Sequence, residues 1–319
     1  HIVGTSLSPR TCPAVVRSAA ITMSGMSDKA AGLKAAIEKS LNQLAQAVDE
    51  QRASEEMRRY LDVMARFHRY SWGNCLLISM ARPDASLVGG FHHWKRLGRS
   101  VRKGERAIRI LAPCPVEVEN QDGDVEERVF FRTACVFDIS QTEGRELPTC
   151  ELPEVAVSAE GLLRRLERVA AKRAIALAYR PLDAGHYGRS LGGRIEVAEG
   201  HATGQQAKTL CHEIVHEMMH WGQDEPAGRE AEELEAEAVA YVVCRHFGLD
   251  VELRASRYIA LWDGDAKALG RSMERISRAA RELIEDAESA GAGSDAPLPS
   301  PDLSADGASD VSRNPADVA

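Results

Sequence analysis

The chain has 319 residues, of which 44% are hydrophobic and 28% charged, and carries a net charge of −8. At roughly 100–200 residues per domain this suggests two domains, and no run of about 18 apolar residues is present to span a membrane. The seven cysteines are scattered without a CxxC pair, which argues against a disulfide frame or a cysteine-held zinc and for a reducing, cytoplasmic setting.

Residues 1–28 have no long apolar core and read as a disordered leader, with Met23 or Met26 as plausible true starts. From Ala30 to about Arg69, Leu33, Ile37, Leu41 and Leu44, then Met57, Leu61, Met64 and Phe67, recur at helical steps. "SWGNCLLISMARPDA" opens on turn residues, continues as an apolar helix and stops at Pro83. "SVRKGERAIRILAPCPVEVE" and "ERVFFRTACVFDIS" read as two strands joined by the turn "NQDGD". Residues 29–146 are therefore expected to form one domain of helices followed by an antiparallel sheet, with 147–155 as a proline-containing linker.

The second domain is expected over 156–288, mostly helical with a small sheet, so the fold class is α+β. It opens with a helix at about 158–172 and a short strand in "GGRIEVAEG", followed by a helix at 203–221. A further helix runs from about 229 to a stop at Gly248. From 289 to 319 the chain is Gly, Ala, Ser, Pro and Asp with almost no large apolar residue, the composition of a disordered tail.

Two stretches carry chemistry. "CHEIVHEMMHW" contains His212-Glu213-Ile214-Val215-His216, an H-E-x-x-H on a helix. Residues i and i+4 share a face, so both imidazoles can converge on one ion while Glu213 deprotonates a bound water. A catalytic zinc needs a third protein ligand. His220 lies eight residues from His212, about 12 Å along a helix, and cannot supply it. It reads instead as a partly exposed residue in the last turn, favoured there by the helix dipole. The next helix offers Glu233, Glu235 and Glu237. Glu233 and Glu237 share a face, whereas Glu235 is rotated about 200° away and reads as solvated. "GGRIEV" at 192–197 stands where an edge strand for an extended peptide is expected. His186, Tyr187 and His246 read as structural or surface residues.

The other stretch is basic. Between Arg58 and Arg109 twelve Lys and Arg face three acids, with aromatic residues among them. Phosphates need cations and unpaired bases need flat rings to stack on, so Tyr70, Trp72, Trp94, Lys95, Arg96, Arg99, Arg102, Lys103 and Arg106 are candidates for contact with single-stranded DNA. No helix-turn-helix, zinc-finger or RNP signature points to sequence-specific reading.

The residues "YSWGNCLLISMARPDASLVGGFHHWKRLGRSVRKGERAIRILAP" and "VFDISQTEGRELP" resemble the N-terminal domain of the ArdC anti-restriction family over about residues 33–150. That resemblance implies a single-stranded-DNA-binding domain joined to a zincin-like metallopeptidase domain. "TLCHEIVHEMMH" and "EELEAEAVAYVV" resemble the latter, and the ImmA/IrrE peptidases. In the related gluzincins a second-helix glutamate completes the site, and an acid four residues on orients the first histidine. The resemblance thus implies His212, His216 and Glu233 as ligands of Zn2+ (Mn2+ by the same donor types), Glu213 as general base and Glu237 behind the ligands. The acid-rich "EELEAE" keeps Glu235 and Glu237 open as rival third ligands. The implied activity is peptide-bond hydrolysis of an unknown protein substrate. The alternatives are a non-catalytic DNA-occluding factor with a structural metal, and a peptidase that cleaves one specific repressor.

Overall fold

A computed structural model describes residues 28–46, 50–119, 125–146, 157–221, 228–253 and 265–291. The expected linker, nearly all of the leader and most of the tail lie outside these residues. The fold is α+β. Helices α1 (Asp28–Ala45), α2 (Glu50–Arg66) and α3 (Trp72–Ala81) come first. After strand β1 (Val88–Gly90), helix α4 (Phe91–Arg96) and strand β2 (Arg99–Val101) comes the long hairpin of β3 (Ile108–Glu119) and β4 (Val125–Asp138). β5 (Thr142–Gly144) closes this half by pairing with β2. In the first sheet the order is β1-β4-β3, all antiparallel.

The second half runs α5 (Ala159–Lys172), β6 (Ala176–Arg180), β7 (Gly188–Ser190), β8 (Arg194–Ala198), α6 (Thr203–Met219), α7 (Arg229–His246) and α8 (Ala266–Gly291). Its sheet has the order β6-β8-β7, with β6 parallel and β7 antiparallel to β8. One expectation is corrected here. The "GGRIEV" segment supplies the central strand, because Ile195 and Val197 are buried beneath it and both its flanks are paired; the edge belongs to β7. Helix α8 ends at Gly291, and its apolar stripe stays buried through Leu283, Ile284 and Ala287.

Local sequence explains several joints. Ser71 caps α3 by accepting from the Asn74 amide, and Ser158 does the same for α5 at Gly161. Asn74 bridges α3 to the sheet, donating to the Leu111 carbonyl and accepting from the Leu111 amide, both at 2.8 Å. Asp138 accepts from the amides of Ser86, Leu87 and Ser140 and so ties the start of β1 to the end of β4.

The two halves share one apolar cluster. Buried Leu61, Val63 and Met64 of α2 belong to the same packing as Val239, Val242 and Val243 of α7 and Ile276 and Leu283 of α8. Polar contacts reinforce the seam. Asp62 accepts from Tyr241 at 2.8 Å and from Arg245 at 3.2 Å, and Arg281 donates to the carbonyls of His68 and Tyr70. His246 is structural, placing Nδ1 2.9 Å from the Ala65 carbonyl and Nε2 3.2 Å from Glu288.

Candidate metal centre and nucleic-acid interface

Helix α6 buries Ala207, Leu210, Cys211, Ile214 and Val215, which turns His212 and His216 toward α7. Their Nε2 atoms lie 3.1 Å apart, and Glu233 Oε2 is 3.3 Å from the first and 3.7 Å from the second. Among the described residues this is the one group of three or more His, Cys, Asp or Glu side chains converging closely enough for a metal. A tetrahedral ion with ligands at about 2.0–2.1 Å requires donor separations of about 3.3 Å, so this triangle has the size of three ligand positions with the fourth left open. The residues present therefore fit a divalent cation.

The electrostatics match that geometry. Hydrogen bonds from His212 and then His216 hold Glu233 far below the usual carboxylate range. Burial works against protonating His216, but Glu233 outweighs it and raises the imidazole above its ordinary value. Burial also pushes the Glu213 carboxyl up; His212 and His216 oppose the shift and Glu233 adds to it.

Glu237 lies behind His212, with Oε2 3.9 Å from Nδ1, too far for a direct hydrogen bond. Its other oxygen accepts from Lys208 at 2.7 Å. Glu235, read as solvated and as a rival ligand, is neither. Its side chain is fully buried on the opposite face of α7, paired with Arg275 and accepting from Ser272 Oγ at 2.7 Å. A carboxylate enclosed this way is stable only with its cation and hydrogen bonds in place. His220 is partly exposed, as expected. It forms the C-cap of α6 with its Nε2 buried, and burial lowers its pKa below the usual imidazole value.

Three residues between α6 and the β7–β8 turn, Gly188, Glu217 and Trp221, were not singled out in the sequence. Gly188 runs so close to α6 that a Cβ there would meet Thr209 Cγ2 at 2.5 Å and Glu213 Oε1 at 2.9 Å. Glu217 accepts from Ser190 Oγ at 2.6 Å and from the amides of Gly192 and Gly193 at 2.9 and 2.6 Å. These bonds clamp the β7–β8 turn onto α6. The indole of Trp221 donates to Ser190 Oγ at 2.6 Å. The one legible hint is that Glu217 follows Glu213 by a single helical turn.

The basic stretch divides on exposure. Trp94 is completely buried and donates to the Phe137 carbonyl at 2.9 Å, so the expected stacking of its ring on a base is corrected: the ring anchors α4. Tyr70 and Trp72 pack against the core, Trp72 in a crevice with Leu41, Leu44, Tyr60 and Met273. Arg99 is committed to Thr142 and the Arg145 carbonyl, and Arg102 to Glu105 and the Ser140 carbonyl. Lys95, Arg96, Lys103 and Arg106 are exposed and make no ion pair among the described residues. The exposed aromatic residue beside them is Phe91. Gln141 braces this turn by donating to Glu105 and to the Arg106 carbonyl.

The sequence profile of the N-terminal domain of anti-restriction factor ArdC matches residues 30–137. Residues 30–137 are thus similar to an ArdC N-terminal domain. In chain order the matched segment comprises α1 to α4 and the β1-β4-β3 sheet, including the basic turn. An uncharacterized protein of Bacillus anthracis is 26% identical over 283 residues, covering 72% of this chain and 47% of that protein. The chain thus spans about half the length of that curated relative. Two crystal structures of antirestriction ArdC protein from the R388 plasmid also align, both at 18% identity. The metal-free one has a TM-score of 0.48 and covers 69% of this chain and 84% of its own. The Mn(II)-bound one scores 0.45, with 72% and 97% covered. Among the described residues no helix is long and apolar enough to cross a membrane.

Proposed function

We propose that the protein is a single-stranded-DNA-binding anti-restriction factor whose second half is a metal-dependent peptidase. The division into residues 29–146 and 156–288 is part of the same proposal. The observation that carries it is the donor triangle of His212, His216 and Glu233, which would hold the ion, with Glu213 buried beside it. The donor types suit zinc, and manganese is the second choice. When bound, the ion supplies a water of lowered pKa and polarises a carbonyl.

The chain's own residues do the rest. Glu213, its pKa raised by burial, receives a proton from the attacking water and returns it to the leaving amine. Gly188 lets the β7 backbone approach Glu213, so an extended peptide lying along β7 passes the carboxylate. Glu217 fixes the height of that strand over α6. Glu237, held by Lys208, stands behind His212.

DNA contact is assigned to the exposed set Lys95, Arg96, Lys103 and Arg106, with Phe91 as the available ring. A charged groove with a stacking platform binds single strands with little sequence preference. The test is hydrolysis of a mixed peptide library by zinc-loaded protein beside Glu213→Gln. Cleavage by the first and none by the second is expected. Equal cleavage by both refutes the assignment of Glu213, and no cleavage by either, with oligonucleotide protection intact, leaves a DNA-occluding factor.

A further inference from the structure

Among the described residues β7 is the outer strand of its sheet, next to β8. The Ala198 amide donates to the Tyr187 carbonyl and the Leu191 amide to the Arg194 carbonyl, both at 2.8 Å, with Arg189 opposite Glu196 between them. Tyr187, Arg189 and Leu191 thus turn their main-chain groups toward β8. The alternation of an antiparallel ladder leaves those of Gly188 and Ser190 facing the open edge. That edge passes Glu213, because Gly188 lies against its carboxylate.

The outer face of the same strand has a definite chemistry. Side chains at 187, 189 and 191 share that face. Tyr187 and Leu191 are exposed apolar residues, and Arg189 lies between them. Glu196 is nearly fully buried beneath three guanidiniums: Arg189 at 2.7 Å, Arg194 at 3.1 Å and Arg180 at 3.6 Å. Every ion pair that these arginines make among the described residues ends on that one carboxylate. The face therefore carries an excess of two positive charges, and Arg189, 55% exposed, is the arginine on the strand edge.

We propose that this face selects the substrate. The peptide joins β7 as an added strand, placing an acidic residue beside Arg189 and apolar residues two positions to either side, against Tyr187 and Leu191. The inference rests on the peptidase reading above and adds a substrate class to it: extended segments of the pattern apolar-x-acidic-x-apolar. Cross-strand pairs of opposite charge and of apolar side chains are the ordinary source of such selectivity. A nucleic acid would use the arginines alone, leaving the free main-chain groups and the apolar flanks without partners.

The experiment uses the full chain, zinc-loaded and carrying Glu213→Gln so that peptides are not consumed. Fluorescent ten-residue peptides centred on Val-x-Glu-x-Leu, and the same peptides with Gln for Glu, are titrated by anisotropy at low salt. The Glu series should bind about fivefold more tightly, the scale of a partly exposed ion pair. Adding Arg189→Gln should reduce the ratio to below about twofold. Equal binding of the two series, a preference that survives Arg189→Gln, or no peptide binding overturns the proposal. So does a single-stranded oligonucleotide whose affinity falls with Arg189→Gln while the peptide ratio stays unchanged. Cleavage of the same panel by the protein with Glu213 intact separates the two layers. Cleavage without a Glu preference refutes the selectivity and leaves the peptidase. A Glu preference in binding without any cleavage refutes the peptidase and leaves the surface.

Discussion

Replacing Arg275 by Met isolates the carboxylate that ties α7 to α8. Glu235 is fully buried, and its partners are Ser272 Oγ and the Arg275 guanidinium, which reaches both carboxylate oxygens. Met keeps the length of the side chain and removes its charge. What remains is a buried carboxylate with one hydroxyl, and breaking a buried pair from one side costs about 3–5 kcal/mol. For a chain of this size that is a fall in Tm of roughly 5–8 °C. Two further results mark the cause as uncompensated charge and exclude lost packing. In the Arg275→Met background, Glu235→Gln should restore about half of the loss or more, because a neutral amide still bonds Ser272. The loss should also shrink as pH is lowered, since the stranded carboxylate is relieved only by taking up a proton. Thermal unfolding followed by circular dichroism at pH 5 and pH 8 reads both variants beside the unaltered chain. A loss below about 1 kcal/mol for Arg275→Met, or one not reduced by Glu235→Gln, would refute the reasoning.

Other predictions follow from the same geometry. Burial depresses His68 to a pKa of about 4, and neither ring nitrogen has a partner among the described residues. A group held below its unfolded value near 6.5 contributes stability above that pH and loses it as pH falls through the folded pKa. Unfolding by urea should therefore show a decline of about 3 kcal/mol between pH 6.5 and 4, and His68→Leu should remove that component of the slope. Gly188→Ala places a methyl 2.5 Å from Thr209 Cγ2 and 2.9 Å from Glu213 Oε1. Peptide hydrolysis should fall by about 100-fold, the effect of an ångström-scale misplacement, with bound metal by mass spectrometry unchanged. Trp94→Ala should cost about 3–5 kcal/mol of stability and leave oligonucleotide affinity per folded molecule unaltered. Lys103→Ala with Arg106→Ala should do the reverse, flattening the log–log salt dependence by about 1.4 for two phosphate contacts.

The H-E-x-x-H helix was legible because spacing alone puts 212 and 216 on one face, and the apolar residues between them choose the buried side. The neighbouring acids were harder to sort. A helical wheel shows that Glu235 points away from Glu233, but not that α8 packs on that far side with an arginine waiting. The wheel gives direction, and only tertiary contact decides between water and a buried ion pair. Strand order was hidden for a similar reason. "RIEVA" shows no clean alternation, since Glu196 is buried under its arginines as deeply as Val197 is by the core. The true edge, three residues of "GRS", has no strand propensity to announce it. In the basic stretch, composition marked a cationic segment with aromatic residues. It could not separate a ring that stacks on a base from one that anchors a short helix, and Trp94 is the second kind.

The measurement that bears most directly on this account is zinc titration of the full chain by calorimetry, beside His216→Ala and Glu233→Gln. The donor triangle predicts one zinc per chain, no measurable binding for His216→Ala and clearly weakened binding for Glu233→Gln. Absence of zinc binding by the unaltered chain, or binding unaffected by either substitution, would contradict the central claim that these three side chains hold the ion.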